Sequence, residues 1–198
     1  MFEWITQLIS QAGYVGIFLL MVLENVFPPI PSELIMPLAG YLAAKGELRW
    51  ELVILAGTLG SYVGALPWYW GARAVNEEFT RRQIRRWGRW LTMSEQDFDQ
   101  ALDWFGRHGG KAVFFGRLVP AVRTLISVPA GLARMPFASF TVLTLAGSLI
   151  WTAILTVAGY VLNAEYHRVA DYLDPGSTIV VALVILVYFY RLLRPAVR

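Results

Sequence analysis

The stretch ENVFPPIPSELIMPLAG, residues 24–40, sits inside an apolar region, yet it carries two carboxylates, Glu24 and Glu33, among four prolines. Pro28, Pro29 and Pro31 cannot continue a helix interior, because each lacks an amide donor and its ring crowds the preceding turn. Irregular backbone facing lipid is excluded from the hydrocarbon, where nothing satisfies its polar groups, but it is tolerated where protein or a wet cavity surrounds it. A segment that is apolar and broken is therefore expected to enter the membrane and turn back. The span about 25–45 reads as a re-entrant hairpin rather than a crossing.

The rest of the composition agrees with a membrane setting. Of 198 residues, 57% are hydrophobic and only 16% charged, whereas soluble domains carry about a quarter charged. There is no cysteine, so disulfides and thiolate chemistry are excluded. No basic residue precedes Lys45, so a cleaved secretory leader is not expected. Three stretches approach the roughly 20 apolar residues that a crossing helix needs: about 51–72, 138–162 and 177–193. A fourth, about 8–27, is interrupted by Ser10, Gln11 and Glu24. It either crosses with its polar stripe turned inward or begins as an interfacial helix, with Phe2, Ile5, Ile9 and Ala12 at helical spacing.

Charge placement supplies the topology. Arg73, Arg81, Arg82, Arg85, Arg86, Arg89, Arg107 and Lys111 crowd the polar segment 73–111, which the positive-inside rule puts in the cytoplasm, together with both termini. Arg191, Arg194 and Arg198 agree, and the near-neutral loop 163–176 falls outside. Glu77, Glu78, Glu95, Asp97, Asp99 and Asp103 dilute the arginine run. It reads as a solvated face or a lipid-headgroup contact rather than a nucleic-acid site.

A second apolar segment, about 112–136, holds Arg117 and Arg123 with Pro120 and Pro129, and it reads as a second hairpin entering from the opposite side. Sliding the chain by 91 residues lays PIPSELIMPLAG (29–40) on PAVRTLISVPAG (120–131). Pro29 then matches Pro120, Leu34 Leu125, Ile35 Ile126, Ala39 Ala130 and Gly40 Gly131. Broken helices at corresponding places in two halves point to a transporter's midplane site. The expected fold is an all-α membrane protein in one domain, residues 1–198, with about four transmembrane helices and two re-entrant hairpins in an inverted-topology repeat. Repeat one spans about 8–72, the cytoplasmic amphipathic segment 73–111, repeat two about 112–162 and a C-terminal helix 177–193. Pro28, Pro29, Pro31, Pro120, Pro129, Gly40 and Gly131 are read as the hairpin breakers.

In the alignment Glu33 falls on Thr124 and Arg123 on Ser32, so the two hairpins are expected to meet as acid against base. An embedded charge costs about 2.5–3.5 kcal/mol on insertion scales. Glu24, Glu33, Arg117 and Arg123 must therefore either neutralise one another or hold a charged ligand.

The segments LENVFPPIPSE…PLAG, GTLGSYVGALPWYWGAR, FGRLVPAVRTLISVPAGLARMPFASF and GSLIW resemble the DedA family, also called SNARE-associated or VTT-domain membrane proteins, over about residues 14–162. The resemblance implies a bacterial plasma-membrane protein that translocates a phosphate-bearing lipid. That lipid would be undecaprenyl phosphate, recycled for the cell envelope, with movement tied to the proton motive force. Phosphatidylethanolamine flipping or general phospholipid scrambling is the alternative. By motif, the functional acids fall on Glu24 and Glu33 and the functional arginines on Arg117 and Arg123. Some relatives carry Pro-Gly-Asp where this chain has Pro31-Ser32-Glu33, a departure that keeps the acid and bears on subgroup and substrate.

A guanidinium offers a planar fork of donors to a phosphate and stays charged, so Arg117 and Arg123 suit a headgroup. Partnership with the glutamates or snorkelling are the other roles open to them. Glu24 and Glu33 are read as proton-coupling or gating groups, or else as permanent partners of the arginines. Gly57, Gly60, Gly64 and Gly71 read as a helix-packing face, and Trp50, Trp68, Trp70 and Trp151 as interface anchors. Catalysis is disfavoured, because a phosphatase needs a nucleophile and a general acid or base. The chain's histidines, His108 and His167, lie away from the paired motifs. No cofactor or metal is expected. A non-transporting membrane scaffold remains an alternative of another class, and a homo-oligomer is left open.

Overall fold

The computed structural model describes residues 2–26, 32–75, 77–91 and 95–161, and their regular structure is entirely helical. In order these are α1 (Phe2–Val26), α2 (Ser32–Ala44), α3 (Trp50–Ala74), α4 (Glu77–Leu91), α5 (Glu95–Gly116), α6 (Pro120–Arg123), α7 (Ser127–Leu132) and α8 (Phe137–Val161). Pro28, Pro29 and Pro31, the loop 163–176, His167 and the expected C-terminal helix 177–193 lie outside the described residues.

Leu8–Val26, Trp50–Ala74 and Phe137–Val161 are long and apolar enough to cross a membrane. At 1.5 Å per residue, α3 and α8 each reach about 37 Å, more than the roughly 30 Å hydrocarbon thickness. Their outer faces carry Leu55, Leu59, Leu149, Ile154 and Val157, all exposed, while Thr58, Ser61, Thr144, Ser148, Thr152 and Thr156 are buried. That inversion of the soluble pattern is what lipid as solvent dictates, because small polar side chains between helices find partners there. Thr58 and Thr152 hydroxyls lie 2.9 Å apart, those of Ser61 and Ser148 3.3 Å, and Tyr62 and Thr141 3.0 Å. The chain is an all-α membrane protein.

The interrupted first segment contains a break within α1. Gly13 adopts φ 53°, ψ −129°, a left-handed conformation that a side chain would strain. Before it, Ile5 and Ile9 are buried in the core; after it, Ile17, Leu20, Met21 and Glu24 turn inward and Val15, Leu19 and Leu23 outward.

Neither expected hairpin contains a crossing-length helix among the described residues. The 13 residues of α2 reach about 20 Å, and α6 and α7 have four and six residues. The two segments pack crosswise. The α2 helix lies mainly on α8 rather than on its neighbour α3, while α7 lies on α3 and α1 also packs on α3.

The breaker roles need correction. Gly40 sits inside α2, where a Cβ would come within 2.1 Å of the Thr156 carbonyl oxygen of α8, and Gly131 sits inside α7, where a Cβ would come within 2.3 Å of the Tyr69 carbonyl oxygen of α3. Both permit backbone contact instead of interrupting a helix. Pro120 opens α6 at its first turn, where a missing amide costs nothing. Pro129 lies in the first turn of α7. Gly57, Gly60 and Gly64 are buried in the packing face, but nothing lies within 4 Å of a Cβ on Gly71, so that residue is outside it.

The helices α4 and α5 form an arm held by Arg81–Asp99 at 2.5 Å and Arg85–Glu95 at 3.0 Å.

Candidate functional site

Two helix ends bring the charged residues together. The α1 helix delivers Glu24 and Asn25 in its last turn. The chain leaves α5 at Gly116, turns through Arg117 and Val119, and re-forms a helix at Pro120 that ends on Arg123. That turn closes on itself through Arg117 N–H to Val113 O at 3.1 Å and Arg123 N–H to Val119 O at 3.0 Å.

Arg123 Nη2 donates to Glu24 Oε1, and both residues are buried, at 4% and 3% exposure. The base of the second hairpin therefore meets Glu24 rather than Glu33. Asn25 fixes the other carboxylate oxygen: its Nδ2 donates to Glu24 Oε2 at 3.3 Å, and also to Met21 O at 3.0 Å and Ser61 Oγ at 3.3 Å. Through Ser61 the site joins the hydroxyl seam between α3 and α8. Trp151 of α8 places its ring 5.8 Å from the Arg123 guanidinium carbon and donates from Nε1 to Ser32 Oγ at 3.4 Å. A residue read as an interface anchor thus ties the start of α2 to the arginine. Trp68, read the same way, ties α3 to the end of α1, since its Nε1 donates to Asn25 O at 2.8 Å.

Arg117 is 1% exposed. Its Nη1 donates to Arg123 O at 2.6 Å and its Nη2 to Ser127 Oγ at 2.7 Å, while its guanidinium carbon lies 6.0 Å from the Phe140 ring. Both acceptors are neutral. Among the described residues no carboxylate lies within ion-pair distance of Arg117, and its Nε, like Arg123 Nε, is buried without an acceptor. Glu24, Arg123 and Arg117 together carry one positive charge that no carboxylate at ion-pair distance balances among the described residues.

The floor under Arg117 is aromatic. Phe140 stacks on Tyr69 with ring centroids 4.3 Å apart, and Tyr69 Oη donates to Met135 O at 2.6 Å. Arg73 Nη1 reaches the same carbonyl at 2.9 Å. Gly147 lets α8 pass, since a Cβ there would lie 2.7 Å from Arg117 Cβ.

Glu33 stands in the first turn of α2, half-buried, with no cation at ion-pair distance among the described residues. Of the four charged residues expected at the site, Glu24, Arg117 and Arg123 are brought together, and Glu33 is linked to them through its neighbour Ser32 and Trp151. Asn25, Ser61, Ser127, Ser148 and Phe140 were missed. The available signal was polarity within apolar runs, which Asn25 beside Glu24 and Ser127 inside the second hairpin both display. No group of metal-ligating side chains occurs among the described residues.

Comparison with known proteins yields a consistent set. A family model described as the VTT domain matches residues 30–161. Undecaprenyl phosphate transporter A of Staphylococcus aureus (strain NCTC 8325 / PS 47) is 37% identical, over 96% of this chain and 94% of that protein. Its namesake in Bacillus subtilis (strain 168) is 30% identical, over 98% and 93%. An "Alkaline phosphatase-like protein" of Lactococcus lactis subsp. cremoris (strain MG1363) is 39% identical, over 96% and 90%. No solved structure matches the chain significantly.

Proposed function

The chain belongs to the VTT-domain family, and from that premise we propose that it carries a phosphate-bearing lipid across a bacterial plasma membrane, with undecaprenyl phosphate as the substrate. The observation that carries this reading is Arg117: a guanidinium buried among neutral acceptors, with one donor unused. A buried cation is costly unless an anion joins it. A phosphate monoester offers several charged oxygens to the fork of donors. The names of the Staphylococcus aureus and Bacillus subtilis relatives support the same substrate.

In the proposed cycle the lipid phosphate takes Arg117 and competes with Glu24 for Arg123. Protonation of Glu24 frees Arg123 for the phosphate, and deprotonation reclaims it and expels the headgroup, so the proton gradient drives the movement. Glu33, at the mouth of α2, serves as a second protonatable group beside the path. The segments about 25–45 and 112–136 act as opposed re-entrant hairpins of an inverted repeat, a reading supported by their crosswise packing. The arginine-rich arm and both termini face the cytoplasm. No chemical step is assigned: Ser127, the hydroxyl at Arg117, has no general base among its described partners.

The test is reconstitution in liposomes with a fluorescent short-chain polyprenyl phosphate, and separately with a fluorescent phosphatidylethanolamine, each with and without a pH gradient. The proposal requires gradient-stimulated movement of the polyprenyl phosphate that Arg117→Ala abolishes, and no release of inorganic phosphate. Equal, gradient-independent movement of both lipids would make the protein a scramblase. No movement of either would favour a scaffold.

A further inference from the structure

Three buried atoms of the charged site have no hydrogen-bond partner, and they are of two kinds: Arg117 Nε and Arg123 Nε are donors, whereas Asn25 Oδ1 is an acceptor. Their residues are linked one to the next, Asn25 to Glu24, Glu24 to Arg123, and Arg123 O to Arg117. The orphan acceptor is not a reversed amide. Met21 O and the Glu24 carboxylate both need a donor, so Nδ2 must face them and Oδ1 must face away. Nor does Nδ2 depend on Glu24, because Met21 O and Ser61 Oγ can take its two hydrogens. A buried polar atom is costly until something pairs with it. Thr144 Oγ1, also unpaired, is a hydroxyl that can donate or accept, so it selects nothing.

Charge sets a second condition. Arg117 and Arg123 against Glu24 give the site one net positive charge. Around it, Glu33 of α2 is half-buried with no cation at ion-pair distance among the described residues, Tyr69 of α3 stacks on Phe140 and holds Arg73, and α8 brings no charged side chain. The matching ligand therefore has anionic oxygens for two donors, one hydrogen for an acceptor, and a single negative charge. A phosphate monoester carrying one proton meets all three. Its dianion lacks the hydrogen and adds a charge, and a phosphate diester has no hydrogen on its phosphate. Building on the lipid-phosphate reading above, we propose that the site takes the lipid phosphate singly protonated, with P–O–H on Asn25 Oδ1 and anionic oxygens on Arg117 Nε and Arg123 Nε, and that this proton is the one that releases Glu24. In that step the phosphate O–H bond breaks and an O–H bond forms on the Glu24 carboxylate. The ligand becomes a dianion against two free arginines, so the net charge of the filled site is zero before and after. One proton then travels with each lipid.

The methyl ester of the same lipid separates the substrate's proton from the protein's, because it keeps one negative charge and has no P–O–H. Binding of a short-chain polyprenyl phosphate and of its methyl ester to the protein in nanodiscs is measured from about pH 5 to about pH 9. A phosphate monoester loses its second proton at about pH 6, so its affinity should fall about tenfold per pH unit above about pH 7 while that of the methyl ester stays level. In Asn25→Leu the phosphate should bind about tenfold more weakly at about pH 5, the worth of one hydrogen bond, and the methyl ester less than about twofold. Parallel falls of both lipids with pH would put the titration on the protein and overturn the inference while leaving the transport reading standing. Level profiles for both, or an Asn25→Leu protein that keeps its melting temperature and loses both lipids equally, would overturn it as well. If Asn25→Leu does not fold, the two pH profiles of the unaltered protein decide. No binding of either lipid at any pH would overturn the inference together with the reading it rests on.

Discussion

Arg123 and Glu24 form a buried ion pair across 99 residues of sequence, joining the end of α1 to the end of α6. Removing one partner leaves the other charge buried and alone, which costs about 3–5 kcal/mol, far more than removing both. Glu24→Ala should lower unfolding stability in detergent by that amount, and the pair Glu24→Gln with Arg123→Gln should recover most of it. Equal losses in the single and double variants would mean that the pair is not coupled.

Arg117 tests the cationic site separately. Arg117→Lys keeps the charge, but a compact ammonium cannot reach Arg123 O and Ser127 Oγ in one plane while presenting a free donor. Losing a hydrogen bond to a charged group costs about 1.5–3 kcal/mol, so lipid movement in proteoliposomes should fall by about tenfold or more.

Gly40→Ala and Gly71→Ala make a controlled comparison. Both add a methyl group in a helix, which by propensity alone favours folding by about 1 kcal/mol. At Gly71 nothing opposes it, so the melting temperature should rise slightly. At Gly40 the new carbon meets the Thr156 carbonyl oxygen, at 2.1 Å, which no rotamer change can relieve, and overpacking of this kind costs about 1–3 kcal/mol. Its melting temperature should fall.

The arm between α3 and α5 responds to acid. Arg81 holds the Asp99 carboxyl below its ordinary value of 3.8, so the clasp is at full strength above that pH and is lost as pH falls through the lowered value. Asp99→Asn should mimic the acid state at neutral pH, and hydrogen exchange of α4 amides should rise in both cases.

Much of this arrangement was legible in the residues. Long apolar runs marked α3 and α8, because a helix satisfies its own backbone within lipid, while the inward threonines emerged only with the packing. Pro120 between Arg117 and Arg123 marked a broken segment. Glycine was ambiguous: Gly40 and Gly131 were read as breaks, yet the same missing side chain also permits helices to touch, and only the partner backbone of Thr156 or Tyr69 decides between the two. The partner of Arg123 was left open between Glu24 and Glu33, for a related reason. An alignment pairs equivalent positions, which suggested Glu33, whereas the contact joins non-equivalent ones, the end of α1 and the end of α6. Trp151 looked like an interfacial residue because its ring contact with Arg123 depends on how α8 is rotated.

The crosswise packing also bears on how the chain is made. Ser32 at the start of α2 bonds to Trp151, 119 residues later. At roughly 5–20 residues per second, a ribosome takes about 6–24 s to supply that partner. Glu24 waits for Arg123 across 99 residues, about 5–20 s at the same rate, and until then its carboxylate lacks that partner. The nascent first half therefore depends on the insertion machinery, or on a wet pocket within it, to shelter a carboxylate until Arg123 emerges.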